Sequence, residues 1–151
     1  MLEFKQIYGL DGYNIAKALR EEVFIKEQGF GFDKDDFDEV SWHIVGFDRD
    51  TLIGTARVHK SEGNSYKIGR VAVKKEYRGQ FIGDLMMKTL QDKIVTLGGM
   101  EAVVYSQLSA KGFYEFEGYS QEGEIFEIAG CPHVKMVLDL TKPHRMCNCH
   151  K

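Results

Sequence analysis

Hydrophobic and polar positions along the chain switch between two periods, two and about 3.6 residues, and the switches mark out the elements. Leu2–Tyr8 reads as a first strand. Asp11-Gly12 opens a helix that runs through Phe24, with Ile15, Leu19 and Val23 on one face. Gly29-Phe30-Gly31-Phe32 and an acidic loop, Asp33 to Glu39, follow. Trp42–Asp48 and Thr51–Lys60 form a hairpin around Arg49-Asp50, with Leu52, Gly54, Ala56 and Val58 alternating against more polar neighbours. Ser61–Ser65 is a turn and Lys67–Val73 another strand.

The strongest helix is Gly79–Leu97, whose Ile82, Leu85, Met86, Leu90, Ile94 and Leu97 make one apolar stripe. Gly98-Gly99 ends it. Glu101–Tyr105 is a short buried strand. Ser109 N-caps a short helix through Glu117, which Gly118 stops. Gln121–Ile128 and His133–Leu140 are the last two strands. Strands interleaved with helices predict a mixed sheet covered by helices.

Composition narrows the class. A chain of 151 residues, 43% hydrophobic and 28% charged, is globular and long enough to bury a core without staples. Residues 1–142 read as a single domain and 143–151 as a tail. A net charge of −3 and a pI near 6.0 argue against nucleic acid as the main partner. No apolar run approaches the roughly 18 residues of a membrane span. The opening MLEFKQIYGLDGYN lacks a basic-then-apolar signal pattern. Three Cys, an odd number, suggest reduced thiols and a cytoplasmic location. Cys147, Cys149 and His150 could hold a soft metal, but a frayed end after Pro143 is the plainer reading, and no metal is expected.

The segment richest in chemistry joins the strand Arg70–Val73 to the long helix. A short turn there carries Arg78 and Gly79. A helix N-terminus presents unpaired N–H groups and partial positive charge. Gly79 would let a phosphate approach the backbone, and Arg78 adds a cation. An ordinary strand–turn–helix crossover is the competing interpretation.

Arg78-Gly79-Gln80-Phe81-Ile82-Gly83 resembles the acetyl-CoA motif of the GNAT superfamily of N-acetyltransferases, Arg/Gln-x-x-Gly-x-Gly/Ala after a strand. Ala110-Lys111-Gly112-Phe113-Tyr114 through Gly118-Tyr119 resembles the second signature, Ala-x-x-x-Tyr-x-x-x-Gly-Phe. Arg20 to Gln28, Asp38, His43, Ile68-Gly69-Arg70-Val71 and Gly130 to Met136 look like the ElaA-like branch. The resemblance implies an α/β (α+β) fold: a mixed, mostly antiparallel twisted sheet of six or seven strands, flanked by helices and splayed at the cofactor site. It implies acetyl transfer from acetyl-CoA to a primary amine of a small molecule or peptide, by direct attack in a ternary complex. A protein-acceptor enzyme and a non-catalytic acyl-CoA-binding module are the alternatives. Family members often dimerise, so a homodimer is one possible assembly.

By the same resemblance, the cofactor would be held by Val71, Ala72, Val73, Arg78, Gly79, Gln80, Phe81, Ile82, Gly83, Gln107 and Tyr114. A backbone N–H near Val71–Val73 would meet the thioester oxygen, and Tyr114 would serve the departing thiolate. Phe81 departs from the motif, which has Gly there. It would need a negative φ, as in a first helical turn, with its ring turned away from the diphosphate. Gln107 stands where many relatives carry an Asn that contacts pantetheine. Glu27, His43 and His133 are candidate bases, each also readable as structural, and Glu27, Gln28, Asp38, His43 and His133 are candidate acceptor-binding residues. The loop Asp33–Glu39 reads either as a solvated face or as a lure for a cationic amine.

Overall fold

The structure, a computed structural model, describes residues 1–142. The cysteine-bearing tail lies outside the described residues. Eight mostly antiparallel strands and three α-helices make an α+β fold, packed as two compact units. One unit comprises Met1–His59 with Ile68–Leu90. The other comprises Lys60–Lys67 with the described chain from Gln91 to Lys142.

In the first unit, β1 (Leu2–Tyr8) pairs antiparallel with β2 (Trp42–Asp48), and β2 with β3 (Thr51–Lys60). All three strands have the bounds that the alternation predicts. Seven consecutive buried residues, Ile53 to His59, make β3 an interior strand covered on both faces. The helix α1 (Leu10–Arg20) packs on β2 through Gly12, where a Cβ would run into the Ile7 carbonyl and the His43 ring. It does not end at Phe24. It widens into a π-helical segment, Glu21–Glu27, in which the Gln28 N–H reaches back five residues to the Val23 carbonyl at 3.0 Å. Leu19 and Val23 close over Ala72, with Phe24 and Leu52 packed against them. β4 (Ser65–Val73) begins two residues earlier than the pattern predicts.

The long helix α2 (Ile82–Thr96) starts three residues late, because residues 79–81 form an irregular turn. Ile82 and Met86 lie against Gly54 of β3 at 3.1 Å from where its Cβ would stand. The buried stripe is Ile82, Met86, Met87, Leu90 and Ile94. Leu85 and Leu97 of the expected stripe are exposed, since the helix rolls Met87 inward in their place.

In the second unit, β5 (Glu101–Gln107) pairs antiparallel with β8 (Cys131–Asp139), from Glu101↔Asp139 to Gln107↔His133. Ser109 is not an N-cap. A 3₁₀ turn at Leu108–Ala110 precedes α3 (Lys111–Phe116), and Ala110 caps it without a side-chain bond. The strand expected at Gln121–Ile128 is broken into β6 (Ser120–Gln121) and β7 (Phe126–Ile128), both against β8. Gly123, with φ 87°, interrupts it, which raises the strand count to eight.

Candidate active site

The turn between β4 and α2 carries its chemistry in the backbone. Gly79 has φ 78° and Phe81 φ 64°, while Gln80 between them does not have positive φ. Alternation of sign along successive residues curls their N–H groups toward one side, the concave nest that binds anions. The first α2 bond runs from the Leu85 N–H to the Phe81 carbonyl at 3.0 Å, so the N–H groups of Ile82 and Gly83 precede the helical ladder. Among the described residues, the N–H groups of Gly79, Gln80 and Phe81 have no acceptor. Arg78 to Phe81 are all exposed, and a Cβ at Gly79 would meet nothing within 4 Å. The cradle is open to a ligand and lined with donors.

This corrects the expectation for Phe81. Its φ is positive, so it adopts the conformation that the missing glycine would supply, at a cost of about 1–2 kcal/mol for an L-residue. The ring projects outward, 72% exposed, and does not pack onto the sheet.

Arg78 is held on two sides. Its Nε donates to the Val73 carbonyl at 2.9 Å, and its two terminal nitrogens donate to Glu27 at 2.6 and 2.7 Å. The Arg78 hydrogen bonds hold the Glu27 carboxyl below its ordinary range. Glu27 is thus the ion-pair partner of Arg78 in this structure. Lys74 reaches Glu22 at 3.2 Å and ties the same π-helical segment to the same arm. Gln28 is exposed just beyond it.

Three acids of the loop are taken up by arginines, while Asp36 and Glu39 are exposed. Asp33, Asp35 and Asp38 neutralise Arg20, Arg57 and Arg70 within the first unit. Asp33 accepts from Arg20 at 2.6 Å and forms an ion pair with Arg70 at 2.8 Å. Asp35 takes both terminal nitrogens of Arg57, at 2.6 and 2.8 Å. Asp38 accepts from Arg20 and, at 2.9 Å, from Arg57. Burial opposes the Asp38 charge, but the Arg20 hydrogen bonds and both guanidinium charges outweigh it and hold the carboxyl down at about 2. Asp38 also closes a capping box with Asp35 around a 3₁₀ turn, Asp36–Val40. It is fully buried and unavailable to an acceptor.

His43 is likewise fully buried. Its Nε2 lies 3.0 Å from the Asp38 carbonyl, which can only accept, so Nε2 carries the proton. Nδ1 has no partner among the described residues. Burial, despite that hydrogen bond, pushes its pKa down. The expected catalytic and acceptor-binding roles of His43 fail on access: it is a neutral interior residue behind Gly12.

Arg70 was legible as a strand residue and as part of the ElaA-like stretch Ile68-Gly69-Arg70-Val71, not as a partner of the acidic loop. It has φ 52° inside β4, one residue before Val71, and its side chain donates to the Asp33 carbonyl at 2.8 Å. The network thus pins an irregular backbone next to Val71–Val73. Arg57 falls among the polar positions of the β3 alternation, so nothing in the sequence signalled that it would be buried against acids.

In the second unit, Tyr114 of α3 is nearly buried, with its ring edge-on to Phe113 and Tyr119 at 5.0 and 5.8 Å. Burial, with a smaller contribution from the Glu117 charge, pushes its hydroxyl up to about 12. His133 stands opposite Gln107 in the β5–β8 register. Its Nδ1 lies 2.8 Å from the Cys131 carbonyl, so Nδ1 carries the proton and Nε2 presents a lone pair.

The family profile of the acetyltransferase (GNAT) domain matches residues 16–140. The chain belongs to the GNAT acetyltransferase family. An uncharacterised N-acetyltransferase of Bacillus subtilis, YjcF, is 33% identical over 82% of this chain and 90% of its own. Protein ElaA of Escherichia coli is 33% identical over 92% and 91%. The crystal structure of Escherichia coli ElaA matches with a TM-score of 0.82, covering 92% of this chain and 100% of that one. GNAT membership implies an acyl-CoA, and the nest, Arg78 and the open Gly79 fit a diphosphate. Among the described residues of this GNAT protein, no group of three His, Cys, Asp or Glu is placed to hold a metal ion. None of its described helices is long and apolar enough to cross a membrane.

Proposed function

We propose that this GNAT protein is an N-acetyltransferase that uses acetyl-CoA and acts on a primary amine of a small molecule or peptide. The observation that carries the reading is the donor-lined nest at Gly79–Phe81, followed directly by the unpaired first turn of α2. When bound, the coenzyme supplies an acyl group activated as a thioester. The N–H groups of residues 79–83 hold its diphosphate. A backbone N–H of Val71–Val73 would donate to the thioester oxygen, and Gln107 would contact the pantetheine arm. Tyr114 keeps its proton at every working pH, because burial holds it near 12. It would therefore be present as the protonated phenol, able to donate a hydrogen bond to the departing thiolate.

His133 is the base of choice among the sequence candidates. His43 is fully buried, Glu27 faces Arg78 in this structure, and the neutral His133 ring, 6% exposed, donates Nδ1–H to the Cys131 carbonyl, so its Nε2 would carry the lone pair that accepts an amine proton.

The test is acetyl-CoA with a panel of amines and short peptides, read by a thiol reagent for released CoA, alongside calorimetry of CoA binding. Amine-dependent thiol release is expected. No release with any amine and no CoA binding would refute the proposal. Binding without release across the whole panel would leave an acyl-CoA-binding module.

A further inference from the structure

The forked arginine–carboxylate pairs Arg20–Asp38 and Arg78–Glu27 of the first unit differ in a way that decides which of them can open. Arg20–Asp38 is buried, and parting it would strand a charge in the interior. Arg78–Glu27 is 39% and 40% exposed, and water can take over from either partner at small cost. Arg78 is also built to change partners. Its Nε bond to Val73 fixes the base of the guanidinium, and only the two terminal nitrogens go to Glu27. Those nitrogens present the planar fork that suits a carboxylate and a phosphate equally. They belong to the residue immediately before the Gly79–Phe81 nest. The Lys74–Glu22 pair continues to hold the π-helical segment when Glu27 lets go.

We infer that Glu27 is an internal counter-anion: it occupies the terminal nitrogens of Arg78 until a coenzyme diphosphate displaces it, and so weakens cofactor binding to a set level. The inference rests on the acyl-CoA reading above. A diphosphate carries more negative charge than one carboxylate, and the nest beside Arg78 adds donors that Glu27 does not use, so the exchange runs toward the coenzyme. Glu27 is a positioning residue here, acting only through Arg78.

The experiment is calorimetric titration of CoA into the wild type, Glu27→Gln, Arg78→Gln and the double variant, with thermal melting to verify that each is folded. Glu27→Gln should bind CoA about three- to fivefold more tightly, which is about 0.6–1 kcal/mol at 1.4 kcal/mol per tenfold. Arg78→Gln should bind more weakly, and adding Glu27→Gln to it should change nothing further. CoA binding that is unchanged or weakened in Glu27→Gln would overturn the inference while leaving the acyl-CoA reading intact. An equal gain with and without Arg78 would overturn it too, because the effect would then be plain charge removal. CoA binding to none of the proteins would sink the acyl-CoA reading and this inference with it.

Discussion

Arg20 and Asp38 face each other as a fork, Nη1 to Oδ1 at 2.7 Å and Nη2 to Oδ2 at 3.1 Å, with neither side chain reaching solvent by more than 1%. Asp38 is shared with Arg57, so one carboxylate answers two buried cations. Asp38→Asn removes that charge and leaves Arg20 with Asp33 and Arg57 with Asp35 as their remaining carboxylates, and should cost about 3 kcal/mol in urea unfolding. The wild type should also be acid-sensitive. The folded carboxyl titrates at about 2 against an ordinary value of 3.8, so this stability is complete above about pH 4 and lost as pH falls toward 2. The loss attached to Asp38 is about 2 kcal/mol, and a melting series from pH 6 to 2 reads it. A flat series would contradict the pairing.

Phe81 stands in the left-handed region with its ring in solvent, so its side chain stabilises nothing that glycine would lose. Phe81→Gly should raise stability by about 1 kcal/mol and preserve CoA binding. Phe81→Val, with a branched Cβ at the same φ, should lower both. Thermal shift with and without CoA measures the two effects together.

Gly83 lies in the first turn of α2, and its N–H precedes the helical bonds. Gly83→Val should weaken CoA binding more than it lowers the melting temperature. Equal CoA-induced shifts in the wild type and the variant would speak against the cradle.

Tyr114 uses its hydroxyl in no hydrogen bond among the described residues, while its ring packs against Phe113 and Tyr119. Tyr114→Phe should therefore leave the melting temperature nearly unchanged and lower kcat about a hundredfold. With the hydroxyl held at about 12, the wild type should show no alkaline loss of kcat from Tyr114 below pH 10. A fully active Tyr114→Phe would assign thiolate protonation elsewhere.

Gly12 is where α1 touches β2. Helix propensity alone favours alanine over glycine there, but a Cβ would strike the Ile7 carbonyl and the His43 ring, 2.8 Å from its Cβ and Cδ2. Gly12→Ala should destabilise by about 2 kcal/mol in denaturant titration. A stabilised variant would mean that the helix is free to lift.

The sequence alone determined the features that depend on short-range period and turn chemistry. The bounds of β1, β2 and β3 follow from alternation, and Gly118 stops α3 at φ 98°, as its position predicts. The motif from Arg78 to Gly83 marked the cradle, because backbone donors and glycine sit next to one another in the chain. The tertiary structure alone decided what each charge meets. Arg57 finds Asp35 across 22 residues, and Arg78 finds Glu27 across 51. It also sealed His43 and Asp38 inside and gave Phe81 a positive φ. Electrostatic partnership and solvent access depend on distance in space. Local pattern carries no record of that distance, so residues that looked like acceptor-site chemistry became the pins of the scaffold.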